Sequence, residues 1–159
     1  MDHLLTLLFA SFFGLFAIKP MPTEQKNLVL QNAQNVAITK ISYSTTGGRG
    51  GNYVNLDITS MSILYVQAHN GVEKTIKEKT PRNLWQSLTR SINLKDLDKI
   101  KSNPGHALYD GTDVTITVEK GREKHSVVNG SEDAVNYKKI KAFTDILEVQ
   151  LSRLDKKIR

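Results

Sequence analysis

Residues 52–77, NYVNLDITSMSILYVQAHNGVEKTIK, decide the architecture. Val54, Leu56 and Ile58 alternate with Asn55, Asp57 and Thr59, which predicts a strand with one apolar and one polar face. Ser62 to Ala68 reads as a second strand, and Val72 to Lys77 returns after Asn70-Gly71. Asn-Gly between alternating runs is a strong hairpin signal, because both residues accept the positive φ that such a turn demands. Upstream, Val36 to Ser44 is a further β-rich run carrying Val36, Ile38, Ile41 and Tyr43.

Downstream the period changes. Thr80-Pro81 predicts a helix start: a hydroxyl able to cap free amides, followed by a proline whose fixed φ suits the first turn. Leu84, Trp85, Leu88 and Ile92 then share one helical face, and a short turn over 94–100 ends at Asn103-Pro104-Gly105. Asp113 to Val118 alternates again, Lys120-Gly121 turns, and Glu123 to Val128 returns before Asn129-Gly130. Tyr137, Ile140, Phe143, Ile146, Leu147, Leu151 and Leu154 predict a long amphipathic helix over 136–155. The expected fold is α+β: an antiparallel sheet from two hairpin units with two helices packed on one face, forming a single domain over 36–159.

The start of the chain has a different character. Leu4 to Ile18, LLTLLFASFFGLFAI, carries no charge and closes at Lys19-Pro20. As a helix it would reach about 22 Å, short of a ~30 Å hydrocarbon core, but it matches the apolar centre of an export signal. Residues 1–19 are therefore expected to be a signal peptide, with a retained membrane anchor as the competing reading. The amide-rich stretch 20–35 is expected to be a polar linker, in which Leu28-Val29-Leu30 is a candidate added strand. The expected location is exported: periplasmic, secreted or held at the membrane by residues 4–18. With no cysteine the domain must be held by packing alone, and thiolate metal sites and nucleophiles are excluded. This combination favours a bacterial envelope origin.

Gly51 to Ile58, Ile63-Leu64-Tyr65, the Leu84-Trp85 helix and Tyr109-Asp110-Gly111-Thr112-Asp113 together resemble small exported proteins of Bacteroidetes. The resemblance covers roughly residues 38–154. It implies a hairpin–helix–hairpin–helix order and brings no assigned catalytic residues.

Four features bear on chemistry. The glycine stretch ending in Gly48, Arg49, Gly50 and Asn52 offers permissive backbone amides and one guanidinium, a candidate site for a carboxylate or phosphate. It matches no phosphate-loop spacing, and a hairpin loop is the plainer reading. Asp110 and Asp113 flank a turn, too few oxygens for a calcium site. His69, His106 and His125 are isolated, without metal-ligand spacing. A hydrolase reading would gather His106, Asp110, Asp113 and His125 into one cleft.

The last feature is the basic C-terminal segment, where Lys138, Lys139, Lys141, Arg153, Lys156, Lys157 and Arg159 face Asp145, Glu148 and Asp155. Those cations complement a helix dipole or attract an anionic envelope surface. Net charge is +6, yet no recognition motif points to nucleic acid. The expectation is a binding or envelope-associated domain that is not an enzyme, needs no cofactor or metal, and meets an unidentified protein or an anionic envelope surface. A purely structural envelope component is the third reading.

Overall fold

The computed structural model describes residues 37–47 and 51–158. The chain divides into units Met1–Asn35 and Val36–Arg159. The apolar run 4–18, the linker 20–35, Val36 and the loop residues Gly48, Arg49 and Gly50 lie outside the described residues.

Six strands form one antiparallel sheet: β1 (Ile38–Gly47), β2 (Tyr53–Ile58), β3 (Ser62–His69), β4 (Val72–Lys79), β5 (Thr112–Lys120) and β6 (Glu123–Val128). Their order across the sheet is β4-β3-β2-β1-β5-β6. The two expected hairpin units are thus a four-strand meander and a hairpin, joined where β5 pairs with β1.

Register places the alternating residues of all six strands in continuous rows. One row runs Ile76–Tyr65–Leu56–Tyr43–Ile116–Val127. The next runs Glu78–Ile63–Ile58–Ile41–Val118–His125, and its four central residues are fully buried. The opposite face carries Lys77–Leu64–Asp57–Ser42–Thr117–Ser126 in the corresponding positions. One face is oil and the other mostly hydroxyl and charge, with Leu64 exposed among them, so the helices bury their own apolar stripes on the first.

That side is covered by α1 (Arg82–Ser91), α2 (Leu94–Leu97), α3 (Ala134–Tyr137) and α4 (Lys141–Ile158). Leu88 of α1, Leu97 of α2 and Phe143, Leu147 and Leu154 of α4 join the sheet residues in one core. Polar ties fix the margins of α4. Gln67 donates to Asp155 at 3.1 Å, the Lys74 ammonium donates to the Ile158 carbonyl at 2.8 Å, and Glu78 accepts from both Arg153 and Lys157. At the other edge, His125 Nδ1 lies 2.8 Å from the carboxylate of Asp98, the residue that ends α2.

Local details depart from expectation at three places. The Thr80 hydroxyl does not cap α1; Pro81 occupies the capping position without a side-chain bond. The Thr80 amide instead donates to the Met61 carbonyl, and its buried hydroxyl has no partner among the described residues. The tie to Met61 holds Thr80 to the β2–β3 turn. The predicted helix over 136–155 begins earlier, at α3, where the Asp133 side chain accepts from the Asn136 amide, and passes through a 3₁₀ turn at Lys138–Ile140 before α4. Tyr137, Ile140 and Phe143 recur every third residue, the period of a 3₁₀ turn; the longer spacing to Leu147 restores the α-helical repeat. Finally, Asn103-Pro104-Gly105 does stop the turn before it, but an unexpected 3₁₀ turn, His106–Tyr109, follows.

Phe143 is fully buried at the centre of the core. Phe143→Ala should therefore cost about 3–5 kcal/mol in urea unfolding, combining lost transfer energy with a cavity. Arg153 first, then Lys157, holds the Glu78 carboxyl at about 2, below its ordinary 4.5. A depressed folded-state pKa means this pair stabilises fully above pH 4.5 and progressively less as pH falls toward 2. Glu78→Gln should cost at most about 1 kcal/mol at neutral pH, because the pair is partly screened by solvent. In acid unfolding curves its difference from the parent should shrink across that window.

Candidate functional site

The sheet end formed by the close of β1 and the start of β5 gathers several loops. Its organising residue is Asn129, buried at 5% exposure just beyond β6. Its amide donates to the Val114 carbonyl at 2.7 Å and its side-chain oxygen accepts from the Val114 amide at 2.8 Å. Its side-chain nitrogen donates to the Asn103 carbonyl at 2.8 Å and to the Asp113 carboxylate at 2.7 Å. Asn129 has a φ of 50°, a left-handed value that asparagine tolerates better than most residues. Asn129, through its backbone amide and its side chain, thus extends the β5–β6 ladder past its last strand pair and ties in the 103–113 loop.

Asp113 continues the same network. Its carboxylate also accepts from the Gly105 amide at 3.1 Å and the His106 amide at 3.0 Å. Burial pushes this carboxyl upward, but hydrogen bonds from Asn129 and the 105–107 backbone outweigh it and leave the pKa lowered. Asp113 is therefore an anionic clamp on the first amides of the 3₁₀ turn. Close packing supports the same loop: a Cβ on Gly47, whose φ is 115°, would stand 2.4 Å from the Gly111 carbonyl oxygen.

Of the four residues of the hydrolase reading, His106, Asp110 and Asp113 share one loop region, where the His106 amide donates to Asp113, and His125 lies apart. His106 reaches Glu132 at 3.2 Å through Nε2, and Glu132 also accepts from Asn103 at 2.5 Å. Asp110 ends the 3₁₀ turn with a φ of 60°. His125 pairs with Val118, five residues along β5 from Asp113, or roughly 17 Å at strand rise. It is engaged with Asp98, the residue that closes α2. His69 closes β3 beside the Asn70-Gly71 turn.

Of the glycine-loop candidates, Gly48, Arg49 and Gly50 are outside the described residues. Asn52 is placed: its side-chain oxygen accepts from the Asn70 amide at 3.0 Å and joins the β1–β2 and β3–β4 connections. The basic C-terminal segment is paired at several points. Arg153 and Lys157 hold Glu78, Lys141 holds Asp145 at 2.6 Å, and Lys139 donates to Asn136 at 2.9 Å.

Beside Asn129, between the covered face of the sheet and helices α3 and α4, lies a cavity of about 220 Å³. Ile116, Val127 and Leu147 give it an apolar floor, and Tyr43, Tyr137 and Glu148 stand around it. Glu148 is the one charged side chain among its described lining residues, and no histidine, lysine or arginine is present there. Burial raises the Tyr43 phenol, with Tyr137 and Glu148 adding to the effect. Burial also raises Tyr137, a shift opposed by its hydrogen bond with Thr144 and reinforced by Glu148. Both phenols are neutral at physiological pH, as ordinary phenols are, and serve as hydrogen-bonding groups.

Sequence reasoning placed Tyr43 on a strand and Tyr137 on a helix but assigned neither to a site. The available signal was chemical: each is a phenol occupying a position in the apolar period, which calls for a polar space at the hydroxyl end. Neither a family model nor a curated protein sequence matches the chain.

Asn129→Ala should destabilise the protein by about 2–3 kcal/mol, since it orphans buried backbone groups and places alanine in a left-handed conformation. Urea unfolding measures the loss. Hydrogen exchange should quicken at Val114 and at Gly105 and His106, while the β3 amides, remote from the network, keep their protection.

Proposed function

We propose that this chain is an exported, single-domain binding protein of the envelope or its surroundings, acting without catalysis. The observation that carries the reading is the division of labour at the loop end of the sheet. There Asp113, Asn129 and the His106–Glu132 pair support loops, while an apolar-floored cavity with phenol and carboxylate groups lies beside them. A concave apolar space with a few convergent polar groups is suited to holding a small ligand or a partner's side chain. The uncharged run Leu4–Ile18 supports export. The internal pairing of Arg153, Lys157 and Lys141 favours the cavity over the basic helix as the contact region.

Export is tested by the intact mass of the protein from fractionated native cells. A species lacking about the first 17–20 residues, found in the soluble envelope fraction or the medium, is the expected result. A full-length species in the membrane pellet would replace the signal with a retained anchor. A full-length species in the cytosol would overturn export.

A further inference from the structure

We infer that the cavity bounded by Tyr43, Tyr137 and Glu148 is a binding site for a small organic ammonium ion with a short apolar body. This inference rests on the reading of the domain as a binding protein and names the ligand class of that same cavity.

Three observations converge. The floor is aliphatic, formed by Ile116, Val127 and Leu147, so part of the ligand must be hydrocarbon. At about 30 Å³ per water, the space of about 220 Å³ corresponds to roughly seven waters, which limits the occupant to a handful of heavy atoms. Charge then selects among small amphiphiles. Glu148 is the sole charge in the described lining, and among the described residues no lysine, arginine or histidine lies within ion-pair distance of it. Lys141, the cation that feels Glu148 from the same helix, is held by Asp145 at 2.6 Å.

An ammonium group satisfies this arrangement in a way that other head groups do not. It can donate to the carboxylate and to the phenol oxygens, and it also meets an aromatic ring face favourably. A carboxylate of the same size would face Glu148 with no cation in the described lining to offset the repulsion. A neutral alcohol would use the floor and gain nothing from the carboxylate, which stays hydrated on the exposed side of α4. The fully buried Thr144 hydroxyl already donates to the Lys141 carbonyl, so it supports Tyr137 and leaves ligand contact to the two phenols.

The test compares three probes of matched length, 1-butylammonium, 1-butanol and butyrate, titrated into the purified full chain. Amide chemical shifts of Val127, Gly130, Tyr137 and Leu147 report on occupancy. Saturable shifts with butylammonium, roughly two- to fivefold weaker binding by Glu148→Gln, and weaker binding of the other two probes are expected. Glu148 is exposed on α4, so Glu148→Gln keeps the fold and the comparison is one of affinity. Equal or tighter binding of 1-butanol or butyrate, or unchanged affinity in Glu148→Gln, would overturn the ammonium assignment while leaving the cavity a binding site. Silence of the lining amides toward all three probes would overturn the assignment and the cavity's binding role together.

Discussion

The row Glu78–Ile63–Ile58–Ile41–Val118–His125 is the constraint on which the rest of this molecule depends. Antiparallel register puts one residue from every strand on a common line, and here the four in the middle are aliphatic and fully buried. The line is apolar only over that width. At each margin it ends in a titratable side chain, and each of these meets a helix: Glu78 holds α4, and His125 reaches the residue that closes α2. Burial draws the helices onto the sheet, and the marginal contacts set where along the sheet they sit. The oily centre supplies most of the stabilisation, because each buried aliphatic side chain contributes about 1.5–3 kcal/mol while exposed ion pairs contribute less than about 1.

At the loop end a different physics operates. The strands there have run out of partners, and Asn129 substitutes for a missing ladder by bonding both backbone groups of Val114. A buried amide is tolerable only when its donors and acceptors are satisfied, and this one also engages Asn103 and Asp113. Packing follows from the same position. Gly130 fits close against Val127, Ile100 and Tyr137, where a Cβ would stand 2.9–3.3 Å from their side chains. The cavity and the loop clamp are therefore two sides of one junction, with Asn129 common to both.

Much of the sheet was legible because alternation is a local property. Val54, Leu56 and Ile58 announce their face without reference to any other strand, and Asn70-Gly71 announces the turn. The long helix was legible for the same reason, apart from its 3₁₀ prelude. What local reading misses is the use of polar residues over distance. Asn129-Gly130 resembles a turn signal, yet it closes no hairpin and serves as a network centre. Asp113 resembles a turn carboxylate or half of a metal site, but it meets the amides of residues some seven positions earlier. Tyr43 and Tyr137 are separated by most of the domain, so nothing in either neighbourhood reveals a shared cavity. The grouping of His106, Asp110, Asp113 and His125 fails for the complementary reason: sequence proximity of the two loops does not set how far along β5 each partner lies.

The placement of β1 has a consequence for the order of assembly. Its partner on one side, β2, follows after a short connection, whereas its partner on the other, β5, arrives only after α1, α2 and the intervening loops. A growing chain can thus complete β1 to β4 while the β5 side of β1 still presents unpaired amides. Closing that gap brings together residues such as Ile41 and Val118, and contacts of such long sequence separation slow the search for the native state. The vulnerable species is a half-built sheet open at its middle, whose exposed edge invites pairing with another chain until β5 arrives.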